Sequence, residues 1–131
     1  MISLDIQTGN LQLGELLIKR DLVLQKIKVL KQQYEIVDSV MNPPYKSYRL
    51  PNLDDGYAGA ALYFYGDKLT NVDLVLGSKF NFPSFEITTQ EIKLVKKLLT
   101  ELGGEKDYAW GKVEYSEDAK GGRVGLWLSY F

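Results

Sequence analysis

The sequence predicts an α+β protein, built as an antiparallel sheet of about five to seven strands with two amphipathic helices on one face. Short runs of alternating apolar and polar residues flank glycine-containing turns, which is the pattern of β-hairpins. Two other segments repeat their apolar residues every three or four positions, as helices packed along one stripe do. The 131 residues are enough for one core, so we expect a single domain over residues 1–131.

The N-terminal third predicts a hairpin followed by a helix. Residues 2–18 alternate around a turn at Gly9 and Asn10, which predicts two strands. After a possible N-cap at Asp21, a helical stripe of fewer than three heptads ends at Pro43, and this length favours packing on the protein's own sheet over a coiled coil. The stripe consists of Val23, Ile27, Leu30, Tyr34, Val37 and Met41.

The middle of the chain changes to strand patterns. Residues 45–53 predict a strand that Pro51 makes irregular or confines to a sheet edge. Residues 60–65 and 69–76 flank the turn sequence Gly-Asp-Lys and predict a hairpin. Residues 80–85 are apolar but irregular, and we expect a packed loop there.

The second predicted helix has well-defined ends. Thr88 as N-cap and Glu91 form a capping box, and Gly103 supplies the C-terminal exit. A last hairpin pairs residues 108–116 with 123–131. The predicted order is therefore ββ-α-βββ-α-ββ. The buried stripe of this helix consists of Ile92, Val95, Leu99 and Leu102.

Composition excludes several classes of chemistry. The chain has no histidine and no cysteine, so thiol nucleophiles, iron–sulfur ligation and Ser-His-Asp triads are absent, and we predict no metal and no cofactor. Sixteen basic and seventeen acidic residues give a formal charge of −1, which argues against nucleic acid or an anionic membrane as partner. The first residues lack the pattern of a signal peptide, and we expect a cytoplasmic protein that is not an enzyme.

Aromatic residues are the best candidates for a binding site. On the last strand, Trp127 has the opposite parity to the aliphatic residues, and Trp110 and the pair Tyr63 and Tyr65 are placed similarly on other strands. If the aliphatic set faces the helices, these rings line the face that the helices leave open, where aromatic side chains are typical interface anchors. The alternative that the rings form a second small core stays open.

Acidic residues supply the other candidates. Asp54 and Asp55 stand in a predicted loop before Gly56, where we expect a turn and, with Asp73, an acidic rim for a basic protein partner. The alternative function is a small hydrolase acting on sugar or phosphate, with Asp54, Asp55 or Glu114 as acid or base. No spacing in the sequence fixes two of these carboxylates together.

Residues 59–64 and 67–74, together with 110–113 and 122–124, resemble the hairpin pattern of small α+β immunity proteins. Those proteins neutralise polymorphic or contact-dependent-inhibition toxins in bacteria. The resemblance covers about the last two-thirds of the chain and transfers no individual contact residue. It implies a non-catalytic, protein-binding role with a toxin domain as partner, and a homodimer is left open.

Overall fold

The computed structural model describes residues 2–76, 89–118 and 123–131. Within these ranges the chain forms ten strands, two α-helices and two short 3-10 turns. The strands are β1 (Ile2–Leu4), β2 (Leu11–Leu13), β3 (Leu16–Ile18), β4 (Val37–Asn42), β5 (Tyr45–Leu53), β6 (Ala58–Tyr65), β7 (Lys68–Leu76), β8 (Lys106–Tyr108), β9 (Gly111–Asp118) and β10 (Arg123–Tyr130). The helices are α1 (Ile27–Leu30) and α2 (Thr89–Glu101), and the 3-10 turns are Leu24–Lys26 and Asp54–Gly56.

The strands form two antiparallel sheets. The larger sheet has seven strands in the order β4-β5-β6-β7-β10-β9-β8, and the smaller one has the order β1-β2-β3. The two edge strands of the large sheet differ strongly. The edge strand β8 has only three residues, whereas β4 has six, all of them exposed, and its pairing with β5 shifts register between Asp38 and Met41.

One face of the large sheet carries the hydrophobic core. The core side chains on this face come from every second residue of a strand and from the residues paired with them on neighbouring strands, because these positions project to the same side of a sheet. The small sheet and both helices add their own buried residues to the same cluster, and α2 contacts β7, β9 and β10. The large sheet contributes Tyr48, Leu50, Ala60, Leu62, Phe64, Leu69, Val72, Leu74, Val113, Val124, Leu126, Leu128 and Tyr130. The covering elements contribute Leu11, Leu13, Leu16, Ile18, Ile27, Val95 and Leu99.

The predicted α+β class with an antiparallel sheet is confirmed, but the order of elements is βββ-α-ββββ-α-βββ rather than ββ-α-βββ-α-ββ. The largest error is the first helix, which is reduced to a 3-10 turn and the four residues of α1. Its predicted second half contains β4, because the β-branched Val37 and Val40 favour an extended chain that pairs with β5. The 3.6-residue spacing of the apolar residues across this boundary is a coincidence.

Smaller differences concern individual strands. The strand predicted over Tyr45–Leu53 is present as β5, but it lies between β4 and β6 and is not an edge strand. Pro51 falls in the register irregularity between Leu50 and Leu53, which is where a proline can be accommodated inside a sheet. The predicted N-terminal hairpin is a three-stranded sheet. The loop predicted over residues 80–85 and the N-cap at Thr88 lie outside the described residues.

Candidate functional site

The face opposite the core is organised in rows that cross the strands. Residues paired in register stand side by side, and their side chains project to the same face. Two rows matter for the site, because they carry polar and aromatic side chains across the middle of the sheet. The first row runs through Arg49, Ala61, Asp73, Trp127 and Glu114. The second row runs through Ser47, Tyr63, Asn71, Ser129 and Lys112.

An open groove of about 400 Å³ lies over one end of these rows. Lys46 and Phe64 also border it, but both pair in register on the core face, so strand alternation directs their side chains away from it. The remaining lining residues define what we name the aromatic groove. They are Val40, Tyr45, Ser47, Tyr63, Tyr65, Thr70, Asn71 and Trp127.

The four aromatic side chains of the groove form two edge-to-face pairs. The ring centroids of Tyr63 and Trp127 lie 5.1 Å apart at an interplanar angle of 61°, and those of Tyr45 and Tyr65 lie 5.2 Å apart at 72°. Tyr45 and Tyr65 are exposed, whereas Tyr63 and Trp127 are half-buried. Edge-to-face contacts of this kind are favourable and restrain the orientation of each ring.

The Asn71 amide fixes the position of the indole. With the side-chain oxygen of Asn71 turned toward Trp127, that oxygen accepts hydrogen bonds from Trp127 Nε1 at 3.2 Å and from the Ser129 hydroxyl at 3.0 Å. The amide nitrogen then donates to Thr70. We assign this orientation because it satisfies both ends of the amide. Trp127 is therefore held by hydrogen bonding as well as by its contact with Tyr63.

A group of charged side chains lies beside the groove. Burial raises the pKa of the Asp73 carboxyl to about 6; Asp118 acts in the same direction and Arg123 opposes it. The pKa of the Tyr63 hydroxyl is also raised, first by burial and then by the negative charge of Asp73. Arg123 donates a hydrogen bond to Asp118 at 2.9 Å. The Tyr63 ring thus contacts Trp127 while its hydroxyl lies in the field of Asp73.

Three of the predicted aromatic residues, Tyr63, Tyr65 and Trp127, come together in the groove. The expectation for Trp110 is wrong. Trp110 is 1% exposed and lies in the turn between β8 and β9, where strand alternation does not determine the direction of a side chain. It packs against Gly9 in the turn between β1 and β2, and its Nε1 donates to the carbonyl oxygen of Ile6 at 2.9 Å.

Asp54 and Asp55 lie away from the groove. They form the 3-10 turn after β5 with positive φ angles of 51° and 55°, a conformation that aspartate tolerates better than most residues. Tyr45 is in the groove at the other end of β5, nine residues before Asp54, a distance of roughly 30 Å along a strand. The expected turn is confirmed, but these two acids do not border the aromatic groove.

The carboxylates of the hydrolase alternative are not brought together. Glu114 lies on β9, four strand spacings from β5, or about 19 Å across the sheet, and it forms an ion pair of 2.8 Å with Lys112. Asp54 and Asp55 follow the far end of β5. Across residues 2–76, 89–118 and 123–131, no group of three acidic residues has the arrangement of a metal site.

Sequence reasoning missed five residues of the groove. Two of them are Val40 and Thr70, and the other three are Tyr45, Ser47 and Asn71. Their parity on β5 and β7 was readable, but their place beside Tyr63 depends on the strand register. Asn71 stands between Tyr63 and Ser129 in its row, and no local pattern specifies these partners. Knowledge of the strand pairing would be enough to place Tyr45, Ser47 and Asn71 in the groove.

No protein-family model, curated protein or solved structure matches this chain. In the part of the chain that the structure describes, no helix is long and apolar enough to cross a membrane.

Proposed function

We propose that this protein is a non-catalytic cytoplasmic binding module, an immunity protein that neutralises a bacterial toxin by covering part of the toxin's surface with the aromatic groove. The observation that carries the proposal is the groove itself, with its four aromatic rings in two fixed pairs on the sheet face opposite the core. Protein interfaces favour tyrosine and tryptophan, whose rigid rings lose little conformational entropy on binding.

The surroundings of the groove support the same role. Charged side chains, among them Asp73 and Lys112, occupy neighbouring positions in the two rows. An apolar centre with a polar rim is the usual anatomy of a protein interface. The absence of histidine and cysteine from the sequence leaves fewer residue types for catalysis, which also favours binding over turnover.

The experiment is a binding assay with the toxin domain that the proposal expects a neighbouring gene to encode. We expect Tyr63→Ala, Tyr65→Ala and Trp127→Ala each to weaken the complex by about fivefold or more, because truncated aromatic anchors cost over about 1 kcal/mol. Co-expression should protect cells from the toxin, and the three variants should protect less. Tyr57→Ala is the matched control, since Tyr57 is a 73% exposed tyrosine outside the groove.

Circular dichroism of each variant establishes that the fold is retained before binding is compared. Full-strength binding by all three folded groove variants would contradict the proposed face. The absence of any complex with the neighbouring toxin, together with no protection of cells, would contradict the immunity function.

A further inference from the structure

Within the described residues, none of the four rings of the aromatic groove has a cation over it, whereas three of the six tyrosines outside the groove do. Three tyrosines elsewhere have a lysine ammonium above the ring, at distances typical of cation–π contacts. Among the residues that the structure describes, no lysine or arginine is placed in this way over Tyr45, Tyr63, Tyr65 or Trp127. The three occupied pairs, with the distance from Nζ to ring centroid, are Lys31–Tyr48 at 5.7 Å, Lys96–Tyr115 at 5.3 Å and Lys106–Tyr108 at 5.7 Å.

The geometry of the groove suits a cation. Within each pair the two rings stand at 61° or 72° to one another, so each pair forms a corner. A positively charged group in such a corner contacts the face of one ring and stays near the second. Tryptophan and tyrosine have the most electron-rich faces among the protein side chains, and several rings around one cation act together, as in aromatic cages.

Among the charged groups that act on the Tyr63 hydroxyl, the Asp73 carboxylate has the largest effect; Asp118 acts in the same direction, and Arg123 and Arg49 oppose them. Asp73 is the register partner of Trp127 and lies in the row next to Tyr63. Its carboxylate accepts no hydrogen bond from the described residues, and Arg123, the one cation that lowers its pKa, is bound to Asp118. Strand alternation directs the side chain of Lys46 to the other face. A cation beside Tyr63 is therefore attracted by Asp73, the charge that acts most strongly on this ring's hydroxyl.

We propose that the aromatic groove is a cation-binding site that receives an arginine or lysine side chain of the protein partner. This inference rests on the proposed function, because the cation is supplied by the toxin. It adds the chemistry of the anchor: a basic residue that projects from the toxin surface and inserts between the ring pairs. A toxin that acts on nucleic acid has such residues at its functional surface, so the same insertion would block it.

The test uses the protein alone and a matched pair of probes. Nα-acetyl-arginine methylamide carries the guanidinium, and its citrulline counterpart has nearly the same shape without the charge. Each is titrated while the two indole N–H signals are followed by proton–nitrogen NMR. The chain has two tryptophans, of which Trp127 lines the groove and Trp110 is buried with its N–H bonded to Ile6.

We expect the arginine probe to shift the Trp127 signal saturably, with a dissociation constant at least about fivefold lower than that of the citrulline probe. The Trp110 signal should stay in place throughout, which reports that the fold is unchanged. Tyr65→Leu should weaken the response about fivefold, and Tyr57→Leu, the same change at an exposed tyrosine outside the groove, should leave it unaltered.

Equal responses to the arginine and citrulline probes would overturn the inference, as would equal binding by Tyr65→Leu and Tyr57→Leu. These outcomes are separate from failure of the proposed function. If the arginine probe binds but no toxin does, the immunity function fails and the cation site stands. If the toxin binds with an affinity that neither Tyr65→Leu nor an excess of the arginine probe reduces, the cation anchor alone is wrong.

Discussion

The indole N–H of Trp110 donates a hydrogen bond of 2.9 Å to the carbonyl oxygen of Ile6, which is 104 positions earlier in the chain. The same indole stacks on Tyr108 with a centroid distance of 5.1 Å and an interplanar angle of 6°. A second bond runs from the Tyr130 hydroxyl to the carbonyl oxygen of Gly9 at 2.9 Å. These two bonds attach the turn between β1 and β2 to the turn between β8 and β9 and to the end of β10. We name this contact the junction, and we expect the stability of the fold to depend on it.

Truncation of Trp110 tests the junction directly. We expect Trp110→Ala to lower the free energy of unfolding by about 3–5 kcal/mol, because a buried aromatic side chain and its hydrogen bond are lost together. Urea denaturation measures the change. Trp127→Ala is the matched control and should cost clearly less, since Trp127 is half-buried. A larger loss at Trp127 would show that the junction contributes little.

A comparison of two glycines separates backbone strain from steric crowding: Gly9 lies at the junction, and Gly66 lies in the turn between β6 and β7. Gly9 and Gly66 both have positive φ, at 79° and 61°. A Cβ on Gly9 would lie 2.5 Å from Trp110 Cδ2, whereas one on Gly66 would have no atom within 4 Å. We expect Gly66→Ala to cost about 1 kcal/mol from backbone strain alone, and Gly9→Ala to cost at least about 1 kcal/mol more.

Thermal or urea melts of the two glycine variants measure the difference. Equal losses would mean that the indole moves aside freely, which would contradict the tight packing of Trp110.

The second helix provides a simpler comparison. Leu99 on α2 is 8% exposed and Leu94 is 43% exposed. Leu99→Ala should lower the free energy of unfolding by about 2–5 kcal/mol through the cavity that it leaves, and Leu94→Ala should lower it by less than about 1 kcal/mol. The shift in urea midpoint gives both free-energy changes, provided that the m-value stays constant. Similar costs at the two positions would place the buried stripe of α2 on a different side.

Asp73 should make stability depend on pH. Burial raises the pKa of its carboxyl in the folded protein from 3.8 to about 6, so between these values the folded chain keeps a proton that the unfolded chain has released. Stability therefore falls as pH rises through this window, by up to about 3 kcal/mol. Asp73→Asn should remove this loss and be more stable than the parent protein at pH 7.

Urea denaturation at several pH values from about 4 to 7 tests this expectation. Asp107→Asn makes the same charge change at an exposed position on β8 and is the control. Equal effects of the two substitutions on the pH profile would contradict the assignment to Asp73.

The sequence predicts those parts of the molecule in which local pattern and tertiary structure agree. The alternation over Tyr45–Leu53 identifies a strand, and the parity of Trp127 places it on the face opposite the core. Trp110 could not be placed in the same way, because it stands in a turn and its direction follows from contact with Ile6 and Gly9. The hydrophobic spacing around Val37 fits a helix, yet the pairing of β4 with β5 decides the structure.

For a related reason, only part of the candidate site could be predicted from the sequence. Tyr63 and Tyr65 belong to one strand, so parity could group them, but their meeting with Tyr45 and Trp127 depends on which strands are neighbours. In the order β5-β6-β7-β10, only β7 separates the strand of Tyr63 and Tyr65 from the strand of Trp127. That strand order results from packing between distant segments of the chain, and the spacing of residues within one segment does not determine it.

The asymmetry of the two sheet edges determines how copies of this protein can meet at high concentration. A six-residue edge strand with all side chains exposed offers unpaired N–H and C=O groups to another strand, and β8 is too short to do the same. The register shift between Asp38 and Met41 interrupts the regular ladder of β4. Because edge-to-edge growth requires an uninterrupted ladder, this irregularity protects the sheet from templated aggregation. Of the two edges of the large sheet, β4 is therefore the one at which a substitution that restores regular pairing is expected to favour association between copies.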